Sequence, residues 1–234
     1  MRKLVIIIKR LRSLYRWAKI AFPNDSEFGY KGKNAKVMYP LRIVSPKGFY
    51  IEENARLSPR AYILNAPNEK VIIKKYTVVA ANCTIVTNNH RSTVGIPQIL
   101  LGASHVNDKS QDVIIDEDVW IGSGVTILAG VHIGRGAIIG AGSIVSKSIP
   151  PYAVAVGTPA RIVKKNFSVD QILIHESKLY PKNERFSREQ LEENDRKYFK
   201  GLQVFGTSEG LDSDAMELID KAKRLYKFIE PQID

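Results

Sequence analysis

Aliphatic residues recur at every sixth position through the middle of the chain. From Ile115 the sequence divides into the hexads IDEDVW, IGSGVT, ILAGVH, IGRGAI, IGAGSI and VSKSIP, with an aliphatic residue first and a small or branched residue fifth. A period of six does not match the turn of an α-helix, and the frequent glycines at the second and fourth places disfavour one. The pattern predicts short strands whose first and fifth residues point into a core, joined by tight glycine corners. Three hexads make one triangular coil, and stacked coils bury the apolar face that a single coil leaves exposed.

The same spacing runs upstream and is interrupted once. Aliphatic residues occupy the corresponding places at Ile51, Leu57, Ile63, Ile73, Val79 and Ile85, with four extra residues in the corner at 65–70. The spacing stops beside His90 and returns in phase at Ile115, so we predict a loop over about residues 90–111 that leaves one corner of the stack. Long loops inside compact domains tend to be functional.

The N-terminal segment, residues 1–22, has the spacing of an amphipathic helix. Its apolar face comprises Leu4, Ile7, Leu11, Leu14, Ala18 and Phe22. The net charge of the chain is +11, and seven positive charges fall within the first nineteen residues. Such a helix could lie on an anionic bilayer surface, or it could pack on its own or a neighbouring subunit. The apolar run at residues 4–8 is too short for a signal-peptide core or a membrane span.

The C-terminal part differs in composition from the repeats. Glycine becomes sparse after Ile162 and charge rises, and three segments have helical spacing: 168–180, 187–199 and 212–229. We therefore divide the chain into an N-terminal helix (1–22), a domain of stacked coils (23–165) and a helical extension (166–234). The extension is predicted to cap the open end of the stack, because an uncovered coil leaves a strand edge exposed.

The repeats continue into a longer stretch with a recognisable family pattern. DVWIGSGVTILAGVHIGRGAIIGAGSIVSKSIPPYAVAVGTPARIV (118–163) resembles the C-terminal half of hexapeptide-repeat acyltransferases, and the resemblance covers about residues 50–165. It is most similar to the branch that holds galactoside, maltose, xenobiotic and polysaccharide O-acetyltransferases. The resemblance implies an all-β core that is a left-handed parallel β-helix, a homotrimer with active sites between neighbouring subunits, and acetyl-CoA as co-substrate without a required metal.

Site residues follow from the resemblance, position by position. His90 matches the histidine at the root of a protruding loop, which acts as general base toward a hydroxyl; an imidazole that is neutral near pH 7 suits that role. The partner that orients its ring is left open between a backbone carbonyl and an acidic side chain. Residues matched to the acetyl-CoA site are Trp120, Gly122, Ser123, Ala141, Ser146, Lys147, Thr158, Arg161 and Lys164. Among these, Ser123 is matched to the oxyanion donor. Ala141, Ser146 and Lys147 are matched to contacts with the pantetheine arm and the adenosine portion, and Thr158, Arg161 and Lys164 to the nucleotide end.

The function implied is transfer of an acetyl group from acetyl-CoA to a saccharide hydroxyl. N-acylation of an amino sugar or nucleotide sugar, acetylation of an antibiotic hydroxyl, and a non-catalytic scaffold remain as alternatives. The chain is expected in the cytoplasm, with peripheral contact at the inner face of the membrane as an option for residues 1–22. Nucleic acid is not an expected partner, since no aromatic-interleaved basic platform accompanies the basic N-terminus.

The remaining reactive residues have competing interpretations. Cys83, the single cysteine, excludes an intrachain disulfide, is compatible with a reducing compartment and falls at a core position of the repeat. A zinc enzyme of the β-helix carbonic anhydrase type would need three converging histidines. His90, His105 and His132 lack the close pair on successive coils that such a site requires. His105 is interpreted as a loop residue, His132 as an outward residue of a hexad, and His175 as a helix residue without a role.

Overall fold

The computed structural model describes residues 2–207 and 210–233. The side chains of residues 2–9, 16 and 19 lie outside the description, so the predicted apolar face of the first helix can be followed only from Leu11 onward and not at Leu4 or Ile7.

Short strands build the body of the described chain. Before the loop they are β1 (Tyr30–Lys31), β2 (Lys36–Val37), β3 (Arg42–Ile43), β4 (Phe49–Ile51), β5 (Arg56–Leu57), β6 (Tyr62–Leu64), β7 (Val71–Ile73), β8 (Val78–Val79) and β9 (Thr84–Val86). After it they are β10 (Val113–Ile115), β11 (Trp120–Ile121), β12 (Thr126–Ile127), β13 (His132–Ile133), β14 (Ile138–Ile139), β15 (Ile144–Val145), β16 (Ala153–Val156) and β17 (Arg161–Lys165).

The strands form the three faces of a triangular prism. Sheet A has the order β1-β4-β7-β10-β13, sheet C the order β15-β12-β9-β6-β3, and sheet B the order β17-β16-β14-β11-β8-β5-β2. Pairing between coils is parallel, as in Ile115↔Ile133 and Ile121↔Ile139. The chain passes from sheet B to sheet C at one edge of the prism, here called edge BC, and from sheet C to sheet A at another, edge CA. This is the left-handed β-helix that the hexads predict.

The hexad positions form the core. The first-place residues Ile115, Ile121, Ile127, Ile133, Ile139 and Val145 are each 0% exposed. The fifth-place residues are also buried, including Ser143 at 1%, whose hydroxyl donates to the carbonyl of Gly140 at 2.7 Å. The prediction of which side chains point inward is therefore confirmed. The stack is stabilised by the burial of this continuous apolar column, since each coil covers the next.

The C-terminal helices are α3 (Val169–Leu179), α4 (Arg188–Tyr198) and α5 (Ser213–Tyr226). They lie within the three predicted segments, and α3 and α4 begin with reciprocal capping boxes. The hexad pattern does not predict β17, which pairs antiparallel to β16 and ends sheet B. Phe199, 3% exposed, packs into the core beside this strand. The tail therefore covers the last coil, while α5 returns to the early coils, where the amide of Ile229 donates to Asn54 Oδ1 at 3.0 Å.

The N-terminal helix α1 (Arg2–Ala21) meets the stack at its C-terminal end. The amide of Leu41 donates to the carbonyl of Ala21 at 3.0 Å, and the rings of Phe22 and Tyr39 lie 5.8 Å apart. Along the rest of the helix, Leu11 and Leu14 are each 59% exposed. None of the described helices is long and apolar enough to cross a bilayer.

Candidate active site

A loop leaves the prism at edge CA, between the end of β9 and the start of β10. It spans residues 87–112 and contains a short helix, α2 (Gln98–Ser104), which the loss of periodicity did not predict. The root of the loop is closed by backbone hydrogen bonds from Gln111 to Thr87 (2.8 Å) and from Lys109 to Asn89 (3.0 Å). His90 follows directly on this closed root, so its backbone is held by the stack although its side chain is 45% exposed.

The returning limb of the loop places a carboxylate against the imidazole of His90. Nδ1 of His90 lies 2.8 Å from Oδ1 of Asp108. The other carboxylate oxygen accepts a hydrogen bond from Asn88 Nδ2 at 2.8 Å and lies 2.9 Å from Nδ1 of His105. The orienting partner that the sequence left open is therefore an acid. Sequence reasoning missed Asp108 and Asn88, because both stand in the aperiodic stretch where no spacing predicts a contact.

These contacts determine the charge of the carboxylate. The hydrogen bond from Asn88, followed by those from His105 and His90, outweighs partial desolvation and lowers the pKa of Asp108 from 3.8 to about 2. Asp108 is thus ionised at neutral pH and can only accept hydrogen bonds. The hydrogen of a neutral His90 ring must then be on Nδ1, which leaves the lone pair on Nε2 available to accept a proton.

A second group of candidates stacks along edge BC. Gly122, Ser123, Ala141 and Thr158 occupy successive turns of this edge, and of the four only Gly122 is buried. The ladder between these turns uses glycine amides: Gly122 donates to Ile139 (2.8 Å), Gly124 to Ala81 (3.0 Å), Gly140 to Ala155 (2.9 Å) and Gly142 to Ser123 (2.9 Å). Ser123 and Ala141 contribute none of these donors, and both residues are exposed at the edge.

Trp120 and Lys164 belong to one row across sheet B. Trp120 pairs with Ile138, Ile138 with Val154, and Val154 with Lys164. The Trp120 side chain is 47% exposed beside edge BC. Farther along β17 from Lys164, Arg161 is exposed, and its guanidinium donates to the carbonyl of Ala160 at 3.1 Å. These aromatic and cationic side chains therefore flank the turns that carry Ser123 and Ala141.

Ser146 and Lys147 lie elsewhere. They follow β15 and are exposed at edge CA, the edge from which the His90 loop leaves. Sheet C orders β15, β12 and β9 consecutively, so the pair stands two coils beyond the loop, roughly 10 Å along the edge. The sequence grouped them with Ala141, but the structure places them on the side of His90.

Comparisons with known proteins agree with this fold. A sequence profile described as bacterial transferase hexapeptide (six repeats) matches residues 112–147. A maltose O-acetyltransferase from Clostridium difficile 630 is 34% identical, over 60% of this chain and 71% of its own, with a TM-score of 0.53. The chain belongs to the hexapeptide-repeat acyltransferase family.

Two further solved structures are similar to this hexapeptide-repeat acyltransferase. A galactoside acetyltransferase in complex with coenzyme A is 29% identical, covering 70% of this chain and 83% of its own, with a TM-score of 0.55. A hexapeptide-repeat acetyltransferase from Vibrio cholerae is 24% identical over 68% and 92%, with a TM-score of 0.55, and supports the fold. No curated protein sequence matches the chain.

The candidate residues of the acyltransferase do not come together within one chain. His90, Ser146 and Lys147 lie at edge CA, whereas Trp120 and Ser123 lie at or beside edge BC. Sheet C separates the two edges, and one hexad of extended chain spans roughly 15–20 Å. Each edge of a single chain therefore presents one part of the predicted site.

The other reactive side chains have partners within the described chain. Cys83 is 1% exposed, its thiol donates to the carbonyl of Gly122 at 3.2 Å, and burial raises the thiol pKa. Nε2 of His132 lies 2.6 Å from Asp116 Oδ2 on sheet A, where His132 pairs with Ile114, just after the loop. His175, to which the sequence assigned no role, binds Asp118 at 2.9 Å and so ties α3 to a coil. His105 lies close to His90, with the two ring centroids 5.5 Å apart, but both residues belong to the loop and not to successive coils.

Proposed function

We propose that this acyltransferase uses acetyl-CoA to acetylate a saccharide hydroxyl, with His90 as the general base. The observation that carries the proposal is the pairing of His90 with an ionised Asp108 at the closed root of a loop. A histidine held in this way has its ring hydrogen fixed on Nδ1, which leaves Nε2 to accept a proton, on a side chain that is 45% exposed.

The reaction would be a direct transfer. A sugar hydroxyl loses its proton to Nε2 of His90 while its oxygen attacks the thioester carbonyl carbon. The carbon–sulfur bond then breaks, and the departing thiolate of CoA takes the proton back from the imidazolium. Asp108 favours the imidazolium between these steps because its negative charge lies against Nδ1. No acyl-enzyme is required, and the burial of Cys83 agrees with that.

Edge BC is proposed as the binding edge for the acetyl donor. The amides of Ser123 and Ala141 supply donors for a developing oxyanion and for the amide groups of a pantetheine arm. Trp120 offers a flat apolar surface beside them, and Arg161 and Lys164 offer charge for phosphate. Gly122 and Thr158 belong to the same edge and would shape it.

Because one chain separates the base from this edge, we propose that the complete site forms between subunits of a homotrimer. The loop and edge CA of one subunit would face edge BC of its neighbour. Ser146 and Lys147, on the side of the base, would then contact the far end of the same cofactor groove from the opposite wall.

The proposed acceptor class follows from the relatives. The proteins of 34% and 29% identity are a maltose O-acetyltransferase and a galactoside acetyltransferase. N-acylation of an amino sugar or nucleotide sugar, and acetylation of an antibiotic hydroxyl, use the same base and donor and differ only in the acceptor that the loop admits. A polysaccharide or lipopolysaccharide acceptor would give the enzyme a role in cell-surface biosynthesis.

The test is a CoA-thiol release assay with acetyl-CoA against sugars, glycan fragments, amino sugars, nucleotide sugars and hydroxylated antibiotics. His90→Ala should lower turnover by roughly 100-fold or more while acetyl-CoA affinity, measured by calorimetry, stays unchanged. His132→Ala is the matched control, because it removes another exposed imidazole paired with an aspartate.

Full turnover in His90→Ala would refute the general base. Thiol release with amino sugars alone would replace O-acetylation with N-acylation. Absence of acetyl-CoA binding would favour the non-catalytic scaffold.

We also propose that the three parts of the chain have separate tasks: residues 1–22 contact the membrane, 23–165 carry the acyltransferase site, and 166–234 close the stack. Helix α1 leaves Leu11, Leu14 and Tyr15 largely exposed. The sequence has no acidic residue before Asp25. An apolar face beside a purely cationic one fits the surface of an anionic bilayer. We therefore propose that the enzyme works in the cytoplasm, at the inner face of the membrane.

A further inference from the structure

We infer that His90, His105 and Asp108 form a binding site for Zn²⁺, and that the bound ion switches the acyltransferase off. One donor atom of each residue lies within 4.8 Å of the other two. Two imidazole nitrogens and one carboxylate oxygen are a ligand set that zinc binds readily, with a fourth position left for water.

The backbone of the loop brings the three donors together. His105 ends α2 in the left-handed conformation, with φ 56°, and Asp108 follows three residues later on the limb that returns to the root. The carboxylate lies between the two rings, 2.8 Å from Nδ1 of His90 and 2.9 Å from Nδ1 of His105. Asn88 Nδ2 also donates a hydrogen bond to this carboxylate, at 2.8 Å. The carboxylate is thus positioned by the loop before any ion arrives.

Only a small movement is needed to complete the coordination. Zinc bonds of about 2.0–2.1 Å set tetrahedral donors roughly 3.3 Å apart. The donor atoms lie within 4.8 Å of one another here, so the widest gap must close by at most about 1.5 Å, which a small rotation of the side chains supplies. The His90 and His105 side chains are 45% and 65% exposed, so their rings have room to turn. Asp108, 9% exposed, can stay in place.

Inhibition follows from the tautomer that the ion requires. In the metal-free ring the hydrogen lies on Nδ1, facing Asp108, and Nε2 has the lone pair. Zinc takes the Nδ1 lone pair, so the ring hydrogen moves to Nε2, and His90 can no longer accept a proton from the acceptor hydroxyl. This consequence rests on the proposed role of His90 as base, whereas the binding of zinc does not.

Binding is tested by titrating the full-length protein with Zn²⁺ against a chromophoric chelator. The wild-type chain should bind one ion, and His105→Gln should weaken that binding at least tenfold. Loss of a residue that only hydrogen-bonds to a metal ligand already lowers metal affinity about 10- to 100-fold, and loss of a ligand itself should cost at least as much. His132→Gln is the matched control and should bind as wild type, since His132 faces Asp116 without a second histidine. Equal zinc affinity in His105→Gln and wild type would overturn the site.

Inhibition is tested on CoA-thiol release, with each variant compared with its own rate in EDTA. Zinc should suppress the wild type and His132→Gln reversibly, and should suppress His105→Gln only at concentrations at least tenfold higher. Zinc that binds through His105 without slowing the wild type would overturn the inhibition. A protein without acetyl transfer to any acceptor would refute the proposed function, while the chelator titration would still decide the site.

Discussion

Nδ1 of His90 lies 2.8 Å from Oδ1 of Asp108, across a loop whose two limbs are hydrogen-bonded at the root. The pair spans eighteen positions of sequence without any repeat to align it. Its geometry gives His90 one defined tautomer, because an ionised carboxylate accepts a hydrogen bond and cannot donate one. The alignment of this base therefore depends on the return path of the loop.

Asp108→Asn should lower kcat by roughly 10- to 100-fold while KM for acetyl-CoA changes little. The amide has one accepting oxygen and no charge, so it orients the ring poorly and does not stabilise the imidazolium. Steady-state kinetics with the best acceptor measures both constants. Asp108→Glu should recover part of the loss, and Asp116→Asn, beside His132 on sheet A, is the matched control. A rise in KM with unchanged kcat would instead indicate that Asp108 contributes to donor binding.

Gly122→Ala should destabilise the β-helix. A Cβ at this position would lie 2.5 Å from the amide nitrogen of Ala141 and 2.9 Å from the carbonyl oxygen of Ile139, and backbone of the next coil cannot move aside cheaply. We expect a loss of about 1–3 kcal/mol, or roughly 3–10 °C in Tm. Thermal unfolding followed by circular dichroism measures it. Gly102→Ala in α2, where the added carbon meets nothing within 4 Å, should keep the wild-type Tm; equal melting of both variants would show that the coils can spread.

Glu176→Ala should loosen the C-terminal extension from the last coils. Glu176 is 1% exposed and lies 3.2 Å from the guanidinium of Arg135, and it accepts from the hydroxyl of Tyr152 at 2.9 Å. Removing it leaves buried polar groups without their partner, at a cost of about 3 kcal/mol. Urea unfolding gives the free energy. Glu192→Ala, an exposed carboxylate 3.9 Å from Arg188, should change it by less than about 0.5 kcal/mol. A similar small change for Glu176→Ala would mean that the extension adds little to stability.

Leu11→Glu with Leu14→Glu should reduce binding to vesicles that contain phosphatidylglycerol by at least about tenfold, because two inserting side chains are replaced by charges. Cosedimentation at low salt measures the bound fraction, with phosphatidylcholine vesicles as the reference. The control is Leu218→Glu with Leu225→Glu on α5, whose leucines are 67% and 72% exposed. If the α5 variant loses binding and the α1 variant does not, the membrane contact belongs to α5. If neither binds differently from wild type, residues 1–22 serve another purpose.

The sequence was sufficient for the parts of the molecule that repeat. Position 1 of a hexad must enter the core, because shifting it by one residue would turn Ile121 outward and Gly122 inward. Ser123 and Ala141 could be placed on a corner for the same reason. The capping boxes of α3 and α4 could also be predicted, because each involves only residues within a span of four positions.

The features that could not be predicted depend on contacts between residues that no regular spacing relates. Asp108 reaches His90 through the path of an irregular loop, and β17 pairs with β16 by reversing direction where every earlier strand is parallel. Ser146 and Ala141 lie at different edges of the prism, with sheet C between them. Assigning each hexad to one face could have predicted this, but the sequence alone did not lead us to separate them. Side-chain pairing at the loop root is a tertiary property, and a single sequence does not reveal it.

The loop adds only a small entropic cost to folding. Ile115 pairs with Ile133, 18 residues later, whereas Ile73 pairs with Ile115 across the loop, 42 residues later. Closing the longer segment adds only about 0.7 kcal/mol of chain entropy, because that penalty grows with the logarithm of length. A stack of similar coils can thus accept insertions of very different length at one corner. Enzymes built on it can acquire new acceptors by lengthening or shortening a single loop.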